Sequence, residues 1–248
     1  MQEYHPGGDL LSLLQESGKF SRTVVLYFAA ELCVALQFLH SRDIIHRDIK
    51  LENILVDQEG HIKIIDFGMS KLGNIASTFC GTPSNIAPEL ILGRKYSAAA
   101  DWWSCGISIF QMLCGFSPFN GGHQAILFRN ILQNQVEFPY WLSEEEIVLL
   151  ESMLMKDPDK RFGKFQLLEE LSEKFSYFKC LNWDIVRNRR LVMPDVVTKF
   201  REAEVKEEHA TMDEEENEDG NLIRKRYDFK GFSFYNDSYD FEDDLSNI

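Results

Sequence analysis

The sequence has few cysteines, five in 248 residues, and none of them forms a Cys-x-x-Cys pair. An odd, unpatterned count speaks against a disulfide framework and suits buried thiols in a reducing cytosol. Positive charge is short as well: 26 Lys+Arg stand against 40 Asp+Glu, a net of −14. The deficit is uneven. Residues 1–200 hold 20 basic against 24 acidic side chains, a net of −4, and the last 48 hold 6 against 16, a net of −10. A near-neutral body with an acidic end argues against a nucleic-acid surface. No signal-peptide pattern opens the sequence, and no apolar run approaches the roughly 20 residues of a membrane span. Internal repeats and metal-ligand clusters are not visible either. The expectation is a folded, cytoplasmic chain of one or two domains with no nucleic-acid partner and no integral membrane segment.

What the sequence does have is concentrated in His46-Arg47-Asp48-Ile49-Lys50-Leu51-Glu52-Asn53. A possible base, two cations, acids and an amide fall within eight residues. Ile44-Ile45 precedes them and Ile54-Leu55-Val56 follows. Such apolar flanks read as short buried strands, which fix the polar loop at both ends. Thirteen residues after Asn53 comes Asp66-Phe67-Gly68, behind the apolar run Ile62-Lys63-Ile64-Ile65. Two strands thus aim an amide and a carboxylate at one place. Phosphoryl transfer needs this set: an Asp to take a hydroxyl proton, a Lys to steady phosphoryl charge, and oxygen ligands for magnesium.

These motifs resemble the catalytic loop and magnesium loop of protein kinases, and the Asp-x-Lys form resembles the serine/threonine branch. The resemblance implies that Asp48 orients and deprotonates the substrate hydroxyl and that Lys50 neutralises the γ-phosphoryl. It implies that Asn53 and Asp66 hold Mg2+ and that Thr82 supports the Asp48–Lys50 pair. The opening residues resemble the hinge, where backbone groups near Glu3 and His5 bind the adenine of ATP. Asp9 then reaches the ribose, and Leu55 forms the adenine floor. Phe79-Cys80-Gly81-Thr82-Pro83 to Ala87-Pro88-Glu89 resembles an activation segment. Thr78 is its phosphosite, the mark of an upstream activating kinase, and a phosphate there could pair with Arg47 and Lys71. Glu89 implies a buried partner in Arg161.

Residues 22–41 carry apolar positions at helical spacing, as expected of a core helix leading into the loop. Leu10–Glu16 reads as helical, and further helices are expected at about 123–134, 143–155 and 165–174, with a Ser143/Glu146 capping box. Asp101 is placed to cap a strongly apolar helix reaching to about Leu113. By resemblance it also holds the catalytic-loop backbone.

From Tyr177 the sequence resembles the C-terminal extension of the AGC kinases, the group that includes protein kinase C. Residues 202–219 hold ten acids against one lysine and are expected to be disordered by charge. Phe229–Phe234 resembles the hydrophobic motif of that group, with Ser233 phosphorylatable. The expected fold is mainly α with a few short strands: a protein-kinase large lobe over 1–180 and an extension over 181–248. A glycine-rich loop, a lysine-bearing strand and a glutamate helix are not in the sequence, so the resemblance implies a fragment without the small lobe. Departures from the pattern are Ser84-Asn85, where the group has a polar residue and tyrosine, and Gln111, where arginine-directed members carry glutamate. Asp9 and Glu52 imply a weaker preference for basic residues before the target Ser/Thr. The leading expectation is a monomeric kinase acting on protein substrates. The other is a non-catalytic interaction module or scaffold for another kinase or its substrates.

Overall fold

The computed structural model describes residues 8–163 and 167–192, together with the backbone of 214–216 and 222–224. Helix α1 (Leu10–Ser17) begins at Asp9, whose carboxylate accepts from the Ser12 amide. Helix α2 (Arg22–His40) begins at Ser21, whose hydroxyl accepts from the Val24 amide. Val24, Val25, Phe28, Ala29, Leu32, Cys33, Leu36 and Leu39 recur three or four residues apart along α2, and all are buried. Such spacing puts a broad apolar stripe on one face of a helix. By length and composition α2 could cross a membrane, which corrects the expectation that no run comes near that length. Here its apolar residues form the middle of the core.

Four short strands follow: β1 (Ile44–Ile45), β2 (Ile54–Val56), β3 (Ile62–Ile64) and β4 (Lys71–Leu72). Strands β2 and β3 pair antiparallel with Ile54 opposite Ile64, and β1 pairs with β4 with Ile44 opposite Leu72. The two hairpin-like ladders hold the loop 46–53 at one end and 65–70 at the other.

The remainder of the body is helical: α3 (Pro88–Ile91), α4 (Ala99–Cys114), α5 (Gln124–Gln133), α6 (Glu144–Met153), α7 (Glu169–Lys174) and α8 (Trp183–Arg187). The capping box of α6 is complete, with both reciprocal Ser143 and Glu146 bonds present. Helix α4 packs on α2 and α6, and fourteen of its sixteen residues are buried. A second apolar cluster joins Trp103, Ile107 and Phe119 to Ile86, Leu90 and Tyr96 under the activation segment. Beside it lies the ion pair of Glu89 and Arg161, bidentate at 2.7 and 2.8 Å and at most 2% exposed on either side. Removing one partner of such a pair leaves a buried charge alone, at a cost of about 3–5 kcal/mol.

Two expectations about the fold change. Asp101 does not cap α4, which starts two residues earlier at Ala99 with Ala98 as N-cap and no side-chain cap bond. Its carboxylate is used elsewhere, as described below. The first compact unit runs to Glu202, and Trp183 and Val186 of α8 are buried in the same core as α2. In the second unit, 203–248, β5 (Glu214–Glu216) pairs antiparallel with β6 (Leu222–Arg224). Within the acidic stretch 202–219 those three glutamates are therefore a strand, contrary to the disorder expected there. The backbone ladder holds them despite their charge, while the other residues of the stretch, and the motif 229–234 with Ser233, lie outside the described residues.

Candidate active site

The loop between β1 and β2 is built on a buried carboxylate. Asp101, 1% exposed, accepts the backbone N–H of His46 at 2.9 Å, that of Arg47 at 2.8 Å, and His40 Nε2 at 2.8 Å. Two successive amides converge on one group because Arg47 adopts a left-handed backbone, φ 73°. Such a conformation in a non-glycine residue costs free energy, and it persists where surrounding bonds fix it.

His46 itself is fully buried. Its Nε2 donates to the Ile65 carbonyl at 3.0 Å, and its ring meets the edge of Phe67 with centroids 4.9 Å apart. The possible base of the sequence reading is thus a tie between the two loops.

Asp48 faces the centre. Thr82 donates its amide (3.1 Å) and hydroxyl (2.8 Å) to Asp48 Oδ1, and Asn53 Nδ2 donates to Oδ2 at 3.0 Å. Lys50 Nζ lies 3.2 Å from Oδ2 and donates to Thr82 Oγ1 at 2.9 Å. Burial acts to raise the Asp48 carboxyl. The Thr82 hydrogen bond, the Lys50 charge and the Asn53 amide together outweigh it and hold the group below its ordinary range. Asp48 is therefore ionised at neutral pH while every donor around it stays in reach. Asn53 also donates to the Asp48 carbonyl at 2.9 Å, which leaves its amide oxygen for a cation.

Asp66 lies on the other loop, between β3 and β4. It sits in left-handed backbone, φ 59°, and accepts from the Gly68 amide at 3.2 Å. Unlike Asp48, it is exposed, as are Phe67 and Met69. Leu55 is half-buried and bridges to Asp9 across the backbone. Both oxygens of the Asp9 carboxylate bond Ser12, so its observed role is to start α1. Glu52 is exposed on a single helical turn, 51–53. Glu3 and His5 lie outside the described residues.

The activation segment is pinned at several points. Tyr96 exchanges both backbone bonds with Ala76, and its phenol donates to the Thr78 carbonyl at 2.8 Å. Thr78 is exposed, as a phosphate acceptor needs to be. Arg47 Nε donates to the Met69 carbonyl, and Lys71 pairs with Ile45 in β4. Gly81 has φ +106°, and a Cβ there would lie 2.9 Å from the Arg47 carbonyl. Only a residue without a side chain lets the two loops touch at that point. The role of Tyr96 had no signal in the sequence: its bonds to Ala76 and Thr78 run to backbone atoms, which no residue type announces.

The protein kinase domain family matches residues 1–172. Protein kinase C delta type of Rattus norvegicus is 39% identical over 254 residues, spanning 97% of this chain and 37% of that protein. Protein kinase 3 of Dictyostelium discoideum is 42% identical over 205 residues, 77% of this chain and 22% of that protein. The eye isozyme of protein kinase C from Drosophila melanogaster is 42% identical over 188 residues, with 74% and 27% covered. The chain thus spans well under half the length of these curated relatives. With Asp48, Lys50, Asn53 and Thr82 bonded into one cluster and the family match running through all of them, the chain belongs to the protein kinase domain family and is protein kinase C-like.

Proposed function

We propose that this chain carries the phosphoryl-transfer half of a serine/threonine protein kinase, moving the γ-phosphoryl of ATP to hydroxyls of protein substrates. The observation that carries the reading is the Asp48 carboxyl group, with Lys50 and Thr82 bonded around it and Asn53 holding its other oxygen. Asp48 orients the substrate hydroxyl and takes its proton as the new bond forms. Lys50 lies beside it to balance charge on the phosphoryl oxygens. Asn53 and Asp66 are an oxygen donor set that fits magnesium, a hard cation. When bound, the metal neutralises charge between the phosphates. Glu3, His5, Asp9 and Leu55 serve the nucleotide, Glu52 and Asp9 the basic side of a substrate, and Thr78 and Ser233 accept regulatory phosphate. The free thiols fit the cytoplasm.

The test is transfer of labelled phosphate from magnesium–ATP to Ser/Thr peptides by the full chain. Asp48→Ala should lower the rate by about 10²–10⁴-fold. Undiminished transfer in that variant sinks the mechanism. A second reading, a non-catalytic module that docks another kinase or its substrates, draws support from the exposure of Phe67 and Leu72, 47% and 78%. It expects no thermal shift with magnesium–ATP.

A further inference from the structure

Asn85 is the departure that the chemistry above leaves unused. It is 5% exposed, and each of its polar groups is engaged. The backbone N–H donates to the Thr82 carbonyl at 2.9 Å, and Nδ2 donates to the Ile49 carbonyl at 3.2 Å. Oδ1 accepts from the Ser84 hydroxyl at 2.8 Å, and the Asn85 carbonyl accepts from the Ser104 hydroxyl at 2.8 Å. A buried amide satisfied in this way is fixed in position and fixes what it touches.

What it touches matters. Ile49 lies between Asp48 and Lys50 in the chain, and Thr82 bonds both of those side chains. The contacts close into a ring: Asp48 to Thr82, Thr82 to Asn85, Asn85 to Ile49, and Ile49 back to Asp48 through one peptide bond. Ser104, on α4, ties the ring to the helix that also carries Asp101. The loop is then referenced to α4 from both sides, through its His46–Arg47 amides and through its Ile49 carbonyl.

From this ring we infer that Asn85 is a positioning residue, which sets the distance between Thr82 and the Asp48–Lys50 pair by bracing the backbone that separates the pair. The side-chain type follows from the bonds. Nδ2 must donate to a buried carbonyl while Oδ1 accepts, and a primary amide does both. An ionised aspartate cannot donate, and an apolar residue leaves the Ile49 carbonyl without this partner. The inference rests on the phosphoryl-transfer reading only for what the Asp48–Lys50 pair does.

Nuclear magnetic resonance of the full chain without nucleotide tests it. In the unaltered chain the Asn85 side-chain amide protons should exchange slowly with solvent. In Asn85→Asp and Asn85→Ala the Thr82 amide should exchange up to about tenfold faster, the loss of one hydrogen bond. Ser84→Ala, which removes a bond to Oδ1 alone, should leave the Thr82 exchange rate where it was.

A side chain that merely fills space lowers the melting temperature and leaves the Thr82 exchange rate unchanged, and that result overturns the inference. Rapid exchange of the Asn85 amide in the unaltered chain overturns it even where no variant folds. These readouts do not need catalysis. If they hold while the chain transfers no phosphate, the proposed function fails and the positioning role stands.

Discussion

Thr82 gives both of its donors to one oxygen of Asp48, the amide at 3.1 Å and the hydroxyl at 2.8 Å. A residue 34 positions away along the chain therefore sets the acidity and the aim of the carboxylate. The same hydroxyl receives Lys50, so one oxygen atom relays between base and cation.

This relay makes a pH prediction. The folded state holds the Asp48 carboxyl below its ordinary value of 3.8. A depressed carboxylate contributes stability that is complete above its unfolded pKa and is lost as pH falls through the folded one. Thr82→Val removes the hydroxyl but keeps its shape, and should make the loss begin at higher pH. Urea unfolding of both chains between about pH 2 and 6 reads this directly. Superimposable acid limbs would count against it.

Asp101 serves three donors from a fully buried position. Asp101→Asn halves its acceptors and removes the charge that strengthens them. A loss of about 2–4 kcal/mol in urea unfolding is expected, since bonds to charged groups contribute about 1.5–3 kcal/mol each. Glu52→Gln, on an exposed neighbouring turn, should stay within about 0.5 kcal/mol of the parent.

Two glycines separate backbone strain from contact. Gly73, φ +119°, has nothing within 4 Å of an added Cβ, while at Gly81, φ +106°, the Cβ would meet the Arg47 carbonyl at 2.9 Å. Gly73→Ala should cost about 1–3 kcal/mol, the strain of an unfavourable backbone region. Gly81→Ala should cost more and should also open the activation segment to limited proteolysis. Equal melting temperatures for the two variants would refute the second contribution.

Lys156 lies 4.3 Å from the centre of the Phe119 ring and 5.1 Å from that of Trp103, with its Nζ on the Ile131 carbonyl. Partial burial, aided by the Arg161 charge, lowers its pKa from 10.5 to about 8. The folded state then disfavours the protonated form, and this penalty is full below pH 8. As pH rises from about 8 toward 10.5 the penalty fades, so stability should rise with pH in that window relative to Lys156→Met. Parallel melting curves for the two chains from about pH 7 to 10 would refute it.

That Asp48, Lys50 and Asn53 come together was legible because they interact through side chains at fixed spacing in one short stretch. The pairing of Glu89 with Arg161 was legible from the resemblance. The role of Asp101 was half legible: acidic residues near a helix start suggest a cap, but its partners are backbone amides 54 and 55 residues earlier. Asn85 stood out only as a mismatch, and its meaning appeared once Ile49, Thr82 and Ser104 were seen around it. Helix α2 was read correctly as core, yet its apolar length was underestimated because Glu31 interrupts the run. That glutamate is buried against His61 and the Ile62 amide, a long-range pairing that spacing does not reveal.

The mounting of the two loops has a mechanical consequence. Asp48 follows His46 and Arg47, whose amides are tied through Asp101 to a sixteen-residue helix, whereas Asp66 is exposed and bonded within its own turn. The half of the site that carries Asp48 is therefore the stiffly mounted one, and the Asp66–Phe67 turn is the half with room to adjust.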